Sequence, residues 1–134
     1  MSNPYSTYFE NRILGASPLE LVNILYDEAI QSVRLARRHL SEGRIAERSS
    51  AINRAQSILL ELASAVNRKE GGELARQLVE LYDYEIGRLN EANLTQRDEP
   101  LAEVEHLLQT VAEAWHTIAS AEGAGAELPD AVMA

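Results

Sequence analysis

Between Leu101 and Ile118 the chain places Leu101, Val104, Leu108, Val111, Trp115 and Ile118 at intervals of three and four residues without interruption. That spacing puts all six on one face of a helix, and a helix with a single apolar stripe has to bury it against a partner. Three further segments repeat the pattern. A helix from about Pro18 to about Ser41 carries Val22, Leu25, Ala29, Val33, Ala36 and Leu40. A second, from about Ile45 to Asn67, carries Ile52, Ala55, Leu59, Leu62 and Val66. A third, from about Glu73 to Asn93, carries Leu74, Leu78, Leu81, Tyr82, Ile86 and Leu89; the fourth runs from about Leu101 to Ser120. No alternating stretch competes as a strand. Short connections force antiparallel neighbours, so the expected fold is all-α: an antiparallel up-down-up-down four-helix bundle.

Local punctuation agrees with these limits. Ser17 with Glu20 has capping-box spacing, and Pro18 falls at the first helical position, where its missing N–H costs nothing. Gly43 supplies a left-handed end to the first helix, Gly71-Gly72 breaks the chain before the third, and Pro100 is tolerable only in a first turn. The expected organisation is an irregular N-terminal cap segment at 1–16, with a short helical turn around 6–13, a bundle at 17–120 and a flexible tail at 121–134. The leader nevertheless carries Tyr5, Tyr8, Phe9, Ile13 and Leu14, apolar residues that need a place to pack.

Charge and composition narrow the function. A net charge of −9 argues against a nucleic-acid backbone or an anionic membrane as the main partner. There is no cysteine, and no apolar run approaches the roughly 18 residues needed to span a membrane, so a reduced cytoplasmic setting is expected. Arg34, Arg37, Arg38, Arg44 and Arg48 form a basic group that reads as cations suited to a helix C-terminus and a solvated face. Two Glu-x-x-His spacings, Glu103 with His106 and Glu113 with His116, raise the question of a di-metal site. Both lie on one helix, about 15 Å apart, whereas such a site draws its pairs from two helices. His39 sits at a helix end, and no phosphate-binding or nucleophile-elbow pattern occurs. The chain reads as a non-enzyme with no cofactor and no metal.

The apolar residues exceed what a bundle core needs, which is about three positions in seven. Leu19, Leu21 and Ile24 on the first helix, Ile58 on the second, and Tyr82 with Tyr84 on the third are the surplus. Either the bundle packs unevenly and buries them, or some line a groove for the leader or a partner. Tyr82 and Tyr84 are about 200° apart around the helix, so one belongs in the core with its hydroxyl at the edge and the other is a groove candidate. Tyr26, next to Leu25, has the same ambiguity.

Several blocks, in order, carry a family resemblance: Asn3-Pro4-Tyr5 with Tyr8, Ala16-Ser17-Pro18 with Glu20-Leu21, Leu25-Tyr26-Asp27, Arg54-Ala55 with Ile58-Leu59 and Glu61-Leu62. Gly71-Gly72, Leu81-Tyr82-Asp83-Tyr84 with Arg88-Leu89, Glu91-Ala92-Asn93-Leu94, and Glu103-Val104 with Ala114-Trp115 continue it. From Asn3 to about Ile118 the chain resembles the FliS family of flagellar export chaperones. The resemblance implies an antiparallel four-helix bundle acting in the cytoplasm, which binds the disordered C-terminal region of flagellin, prevents premature polymerisation and delivers it to the flagellar type III export apparatus. It further implies that the N-terminal segment caps an apolar surface and is displaced by flagellin. Tyr8, Ile13 and Leu14 would belong to the cap; Leu21, Ile24, Leu25, Leu81, Tyr82 and Tyr84 would lie near the groove, with Tyr26 and Ile58 completing the partner-binding set. A regulatory adaptor of flagellar secretion that binds other flagellar proteins is the alternative. Oligomeric state is left open, a homodimer without flagellin included. The chain departs from the family pattern at Glu28, where a small residue is usual, at Glu85, where Met is usual, and at Gly87, in place of an Arg.

Overall fold

The computed structural model describes residues 17–122 together with Thr7, Asn11 and Gly15. Four helices account for it: α1 (Pro18–Ser41), α2 (Ile45–Ala65), α3 (Arg68–Thr95) and α4 (Asp98–Glu122). α1 packs on α2 and α4, and α3 packs on the same two. The helices therefore go round the bundle in chain order, with α1 and α3 facing each other along a diagonal. This is the expected antiparallel bundle. The leader positions Tyr8, Ile13 and Leu14 and the tail from 123 onward lie outside the described residues.

Each helix end has a local cause. The Ser17 hydroxyl accepts from the Glu20 N–H at 3.2 Å, and Pro18 opens α1. Gly43, at φ 72°, turns the chain into α2. α2 stops at Ala65, two residues short of the sequence expectation, because Val66 is already extended. Asn67 then caps α3 by accepting from the Glu70 N–H at 3.1 Å. One turn later Gly72 takes φ 55° and ψ −132°, a conformation that side chains with a Cβ rarely adopt. The expected break is thus a kink inside α3, with regular helix resuming at Glu73. α3 ends at Gln96, in the left-handed region at φ 56°. α4 begins at Asp98, earlier than its apolar period indicates, because its first turn is acidic and suits the helix N-terminus without contributing to the stripe.

The four seams meet as an interdigitated core. α1 contributes Leu19, Val22, Tyr26, Ala29, Val33 and Ala36; α2 contributes Ile52, Ala55, Leu59 and Leu62, with Val66 just past its end. α4 contributes Leu101, Val104, Leu108, Ala112 and Trp115. Two seams differ from the sequence reading. On α1 the buried position is Tyr26, and Leu25 packs at the margin. On α3 the buried series is Ala75, Leu78, Tyr82, Glu85, Leu89 and Ala92, while Leu74 is exposed and Ile86 only partly buried. Alanines and a glutamate hold the three-four register there, so a reading that follows large apolar residues drifts off it.

Leu59 is fully buried and its neighbour Leu60 is 59 % exposed. Leu59→Ala should therefore cost about 2–5 kcal/mol in urea unfolding, and Leu60→Ala less than about 0.5 kcal/mol. Gly87 lies within regular helix with nothing near where a Cβ would stand. Gly87→Ala should raise stability by about 0.5–1 kcal/mol in the same measurement.

Candidate functional site

The interior holds a polar cluster at mid-bundle. The hydroxyls of Tyr26 and Tyr82 hydrogen-bond at 2.8 Å, with ring centroids 6.3 Å apart and planes tilted by 53°. The bond joins α1 to α3 across the diagonal. Glu85, one turn beyond Tyr82, is 1 % exposed, and neither of its carboxylate oxygens has a hydrogen-bond partner. Burial pushes its carboxyl up to about 8, so at pH 7 it is mostly the neutral acid. Burial also raises both phenols above the ordinary range, with the Glu85 charge adding to the effect on each. The Trp115 indole N–H from α4 is buried without a hydrogen bond of normal geometry. It lies close enough to Tyr26 to favour the phenolate slightly.

The sequence-derived positions divide between inside and outside. Tyr26, Tyr82 and Ile58 are buried in the core. Of the two phenols on α3, Tyr82 is the inner one; its hydroxyl is not at the edge as expected but bonded in the interior. Leu21, Leu25 and Leu81 are half-buried. Ile24 is buried on a different flank of α1 from the seam, where it lines an open cleft with Asn11, Gly15, Glu20, Asn23 and Asp27. Two described residues of the leader thus lie beside α1 at Ile24. Tyr84 is 48 % exposed and donates to both oxygens of Glu103 at 2.9 Å. Arg88 Nε donates to the same carboxylate at 2.5 Å, and Arg88 also meets Glu91 and Glu99. Arg88 first, and Tyr84 second, hold the Glu103 carboxyl below its usual range.

Sequence reasoning missed the outer apolar residues. Ile45, Leu60 and Leu94 are the most exposed large hydrophobics among the described residues, followed by Tyr84, Leu35 and Leu74. Gln56 donates to the Ile86 carbonyl at 3.2 Å and to Asn90 at 2.7 Å, which marks the side of α2 turned to α3. At 100° per residue Leu60 lies about 40° beyond Gln56, on the outer edge of the α2–α3 contact, and Ile45 lies about 20° to the other side of Gln56, roughly 22 Å from Leu60 along α2. On α3, Val79 and Ile86 are half-buried. The one signal in the sequence is negative: Leu60 stands one residue past the seam position Leu59.

The basic group is largely neutralised. Arg37 makes a two-pronged bond to Asp98 at 2.8 Å and reaches Glu105 at 3.1 Å, while Arg34 meets Glu105 at 3.3 Å. Arg48 is not on a solvated face, as the sequence reading has it. It is buried, donating to Asn93 and Gln96 where α3 ends. Glu28, a departure from the family pattern, pairs with Arg54 of α2 at 2.9 Å. Among the described residues no cluster of three or more His, Asp or Glu is placed to hold a metal ion, and no helix is long and apolar enough to cross a membrane.

A family model described as Flagellar protein FliS matches residues 1–122. The chain belongs to the FliS family. It is 38 % identical over 110 residues to the flagellar secretion chaperone FliS of Salmonella typhimurium, covering 81 % of this chain and 82 % of that protein. It is 32 % identical over 115 residues to the Bacillus subtilis chaperone of the same name, covering 86 % and 85 %. Against the flagellar secretion chaperone FliSB of Pseudomonas aeruginosa it is 34 % identical over 109 residues, covering 81 % and 86 %. The bundle is therefore that of a family of flagellar secretion chaperones. Its identifying blocks serve different ends: Tyr26 and Tyr82 build the interior, whereas Tyr84 and Arg88 build an outer network with Glu103.

Tyr26→Phe leaves the Tyr82 hydroxyl unpaired in the core and should cost about 1–3 kcal/mol. The Tyr26→Phe/Tyr82→Phe double variant should lose less than the sum of the two single variants, because both partners are then apolar. A denaturant-based double-mutant cycle measures the difference.

Proposed function

We propose that this chain is a cytoplasmic chaperone that binds the disordered C-terminal segment of flagellin, keeps it from polymerising prematurely and delivers it to the flagellar export apparatus. The reading is carried by the contrast between a sealed core and apolar residues left outside it: Ile45, Leu60 and Leu94 among the most exposed, with Val79 and Ile86 half-buried on α3. Scattered surface leucines are ordinary, but a strip along one helix–helix contact is what an amphipathic segment can lie on. Family membership supplies the class of client, since the named relatives are flagellar secretion chaperones.

The partner-binding positions separate by depth in this proposal. Leu21, Leu25, Leu81 and Tyr84 offer partial or full exposure and meet the client directly, while Tyr26, Tyr82 and Ile58 hold the wall beneath. On the α1 flank, Ile24 is the shared position. Asn11 and Gly15 lie beside it, so the leader, with Tyr8, Ile13 and Leu14, competes with flagellin for that flank. Ordering a disordered segment costs about 2–5 kcal/mol, offset when the wrap buries on the order of 1,000–3,000 Å².

Titration calorimetry of the full chain with a flagellin C-terminal segment should show binding with a negative heat-capacity change. Leu60→Ser with Leu94→Ser should weaken it by about tenfold or more while shifting stability little, and removing residues 2–15 should change the affinity. No heat with either the full chain or the shortened one would overturn the proposal.

A further inference from the structure

Glu85 occupies a core seam position between Tyr82 and Leu89, and the groups around it leave its carboxyl alone. From α1 it faces Tyr26, whose hydroxyl is engaged with Tyr82. From α4, Trp115 lies beside Tyr26, and its N–H makes no hydrogen bond of normal geometry. α2 turns Ile52, Ala55, Leu59 and Leu62 to the core, and its buried cation, Arg48, is tied to Asn93 and Gln96 at the bundle end. On α3 itself, Tyr82 is the titratable neighbour, and Arg88 points outward to Glu91, Glu99 and Glu103. Among the described residues no cation faces Glu85. An ionised carboxylate there would lack a counter-charge among the described residues, an unfavourable state for a buried acid.

We propose that Glu85 is a proton latch on α3: the helix docks in the bundle with the Glu85 carboxyl protonated, and loss of that proton favours α3 moving outward so that the carboxylate reaches solvent. α3 is suited to such movement. It carries a break at Gly72 and, two residues after Glu85, a glycine that nothing packs against. The direction of the pH effect follows from the raised acid, which holds its proton up to about 8 when docked and sheds it near 4.5 when exposed. The latch is therefore fully closed below about pH 4.5, weakens as pH rises, and gives no further pH dependence above about 8. Within that window opening should increase up to tenfold per pH unit, one proton being released. The latch does not depend on which client the chaperone carries.

Two measurements on the full chain test it. The first follows hydrogen exchange of the amides from Tyr82 to Leu89 between pH 5.5 and 8.5, corrected for the intrinsic exchange rate, in the native chain, E85Q and E85M. The native chain should open increasingly with pH and level off near pH 8, whereas both variants should lack that component. Comparison with the variants removes effects of His116, which pairs with Asp27 on the surface at 3.4 Å, because they retain it. E85M puts an apolar, unbranched side chain of similar length in the core, so it carries the comparison if E85Q fails to fold. The second follows the Glu85 carboxyl carbon by NMR, which should titrate far above the ordinary carboxylate range. A midpoint near 4.5, or native exchange with the pH dependence of E85M, would overturn the proposal.

Discussion

The hydroxyl bond between Tyr26 and Tyr82 is the one specific link across the diagonal of the bundle among the described residues. Apolar seams bring four helices together but discriminate weakly between registers, since a slide of one heptad presents another stripe of similar shape. A buried hydrogen bond discriminates strongly, because any other register leaves two hydroxyls desolvated and unpaired. Tyr26 and Tyr82 therefore set how α1 and α3 sit relative to each other, and α2 and α4 pack between them. Glu85 and the Trp115 N–H lie in the same layer without comparable pairing. One layer of the core thus combines a strong positional constraint with a local source of instability.

That combination suits the proposed mode of binding, in which the client lies on the outside of the bundle. The core residues Tyr26, Tyr82 and Ile58 have almost no exposed surface to offer, whereas Leu60, Leu94 and Tyr84 do. Charges organise the remaining exterior: Glu28 with Arg54 bridges α1 to α2, and Arg37 with Asp98 and Glu105 bridges α1 to α4. These exposed pairs contribute little each, on the order of 0.2–1 kcal/mol, and they lie on the contacts of α1 with α2 and α4. The kink at Gly72 and the bare backbone at Gly87 both fall on α3, the wall that carries Glu85.

Much of this architecture is legible in the order of the amino acids. Four apolar periods with short breaks dictate the bundle, and Ser17, Gly43, Gly72 and Pro100 place turns within a few residues of where they occur. The α4 and α2 seams follow the sequence closely because large aliphatic residues mark nearly every buried position. α3 departs from its sequence reading for a physical reason: its seam runs through Ala75, Glu85 and Ala92, whose side chains carry little or no apolar signal. The spacing of Leu78, Tyr82 and Leu89 puts Glu85 on the seam once a charged residue is admitted there. The outer strip is less legible still, since Ile45, Leu60 and Leu94 are apolar residues that lie off the seams and are exposed in the assembled bundle. Arg48 shows the converse, a cation buried because α3 ends in carbonyl and amide oxygens that accept from it.

The central claim is that the client lies on the exterior while the tyrosine pair keeps the core closed. The most direct test is residue-resolved NMR of the full chain with and without a flagellin C-terminal segment, reading Leu60, Leu94 and Tyr84 beside the rings of Tyr26 and Tyr82. The account predicts large shifts and new contacts at the outer three, with the ring environments of the inner pair and the protection of their amides retained. Loss of the tyrosine pair on binding, with the outer residues unperturbed, would contradict it.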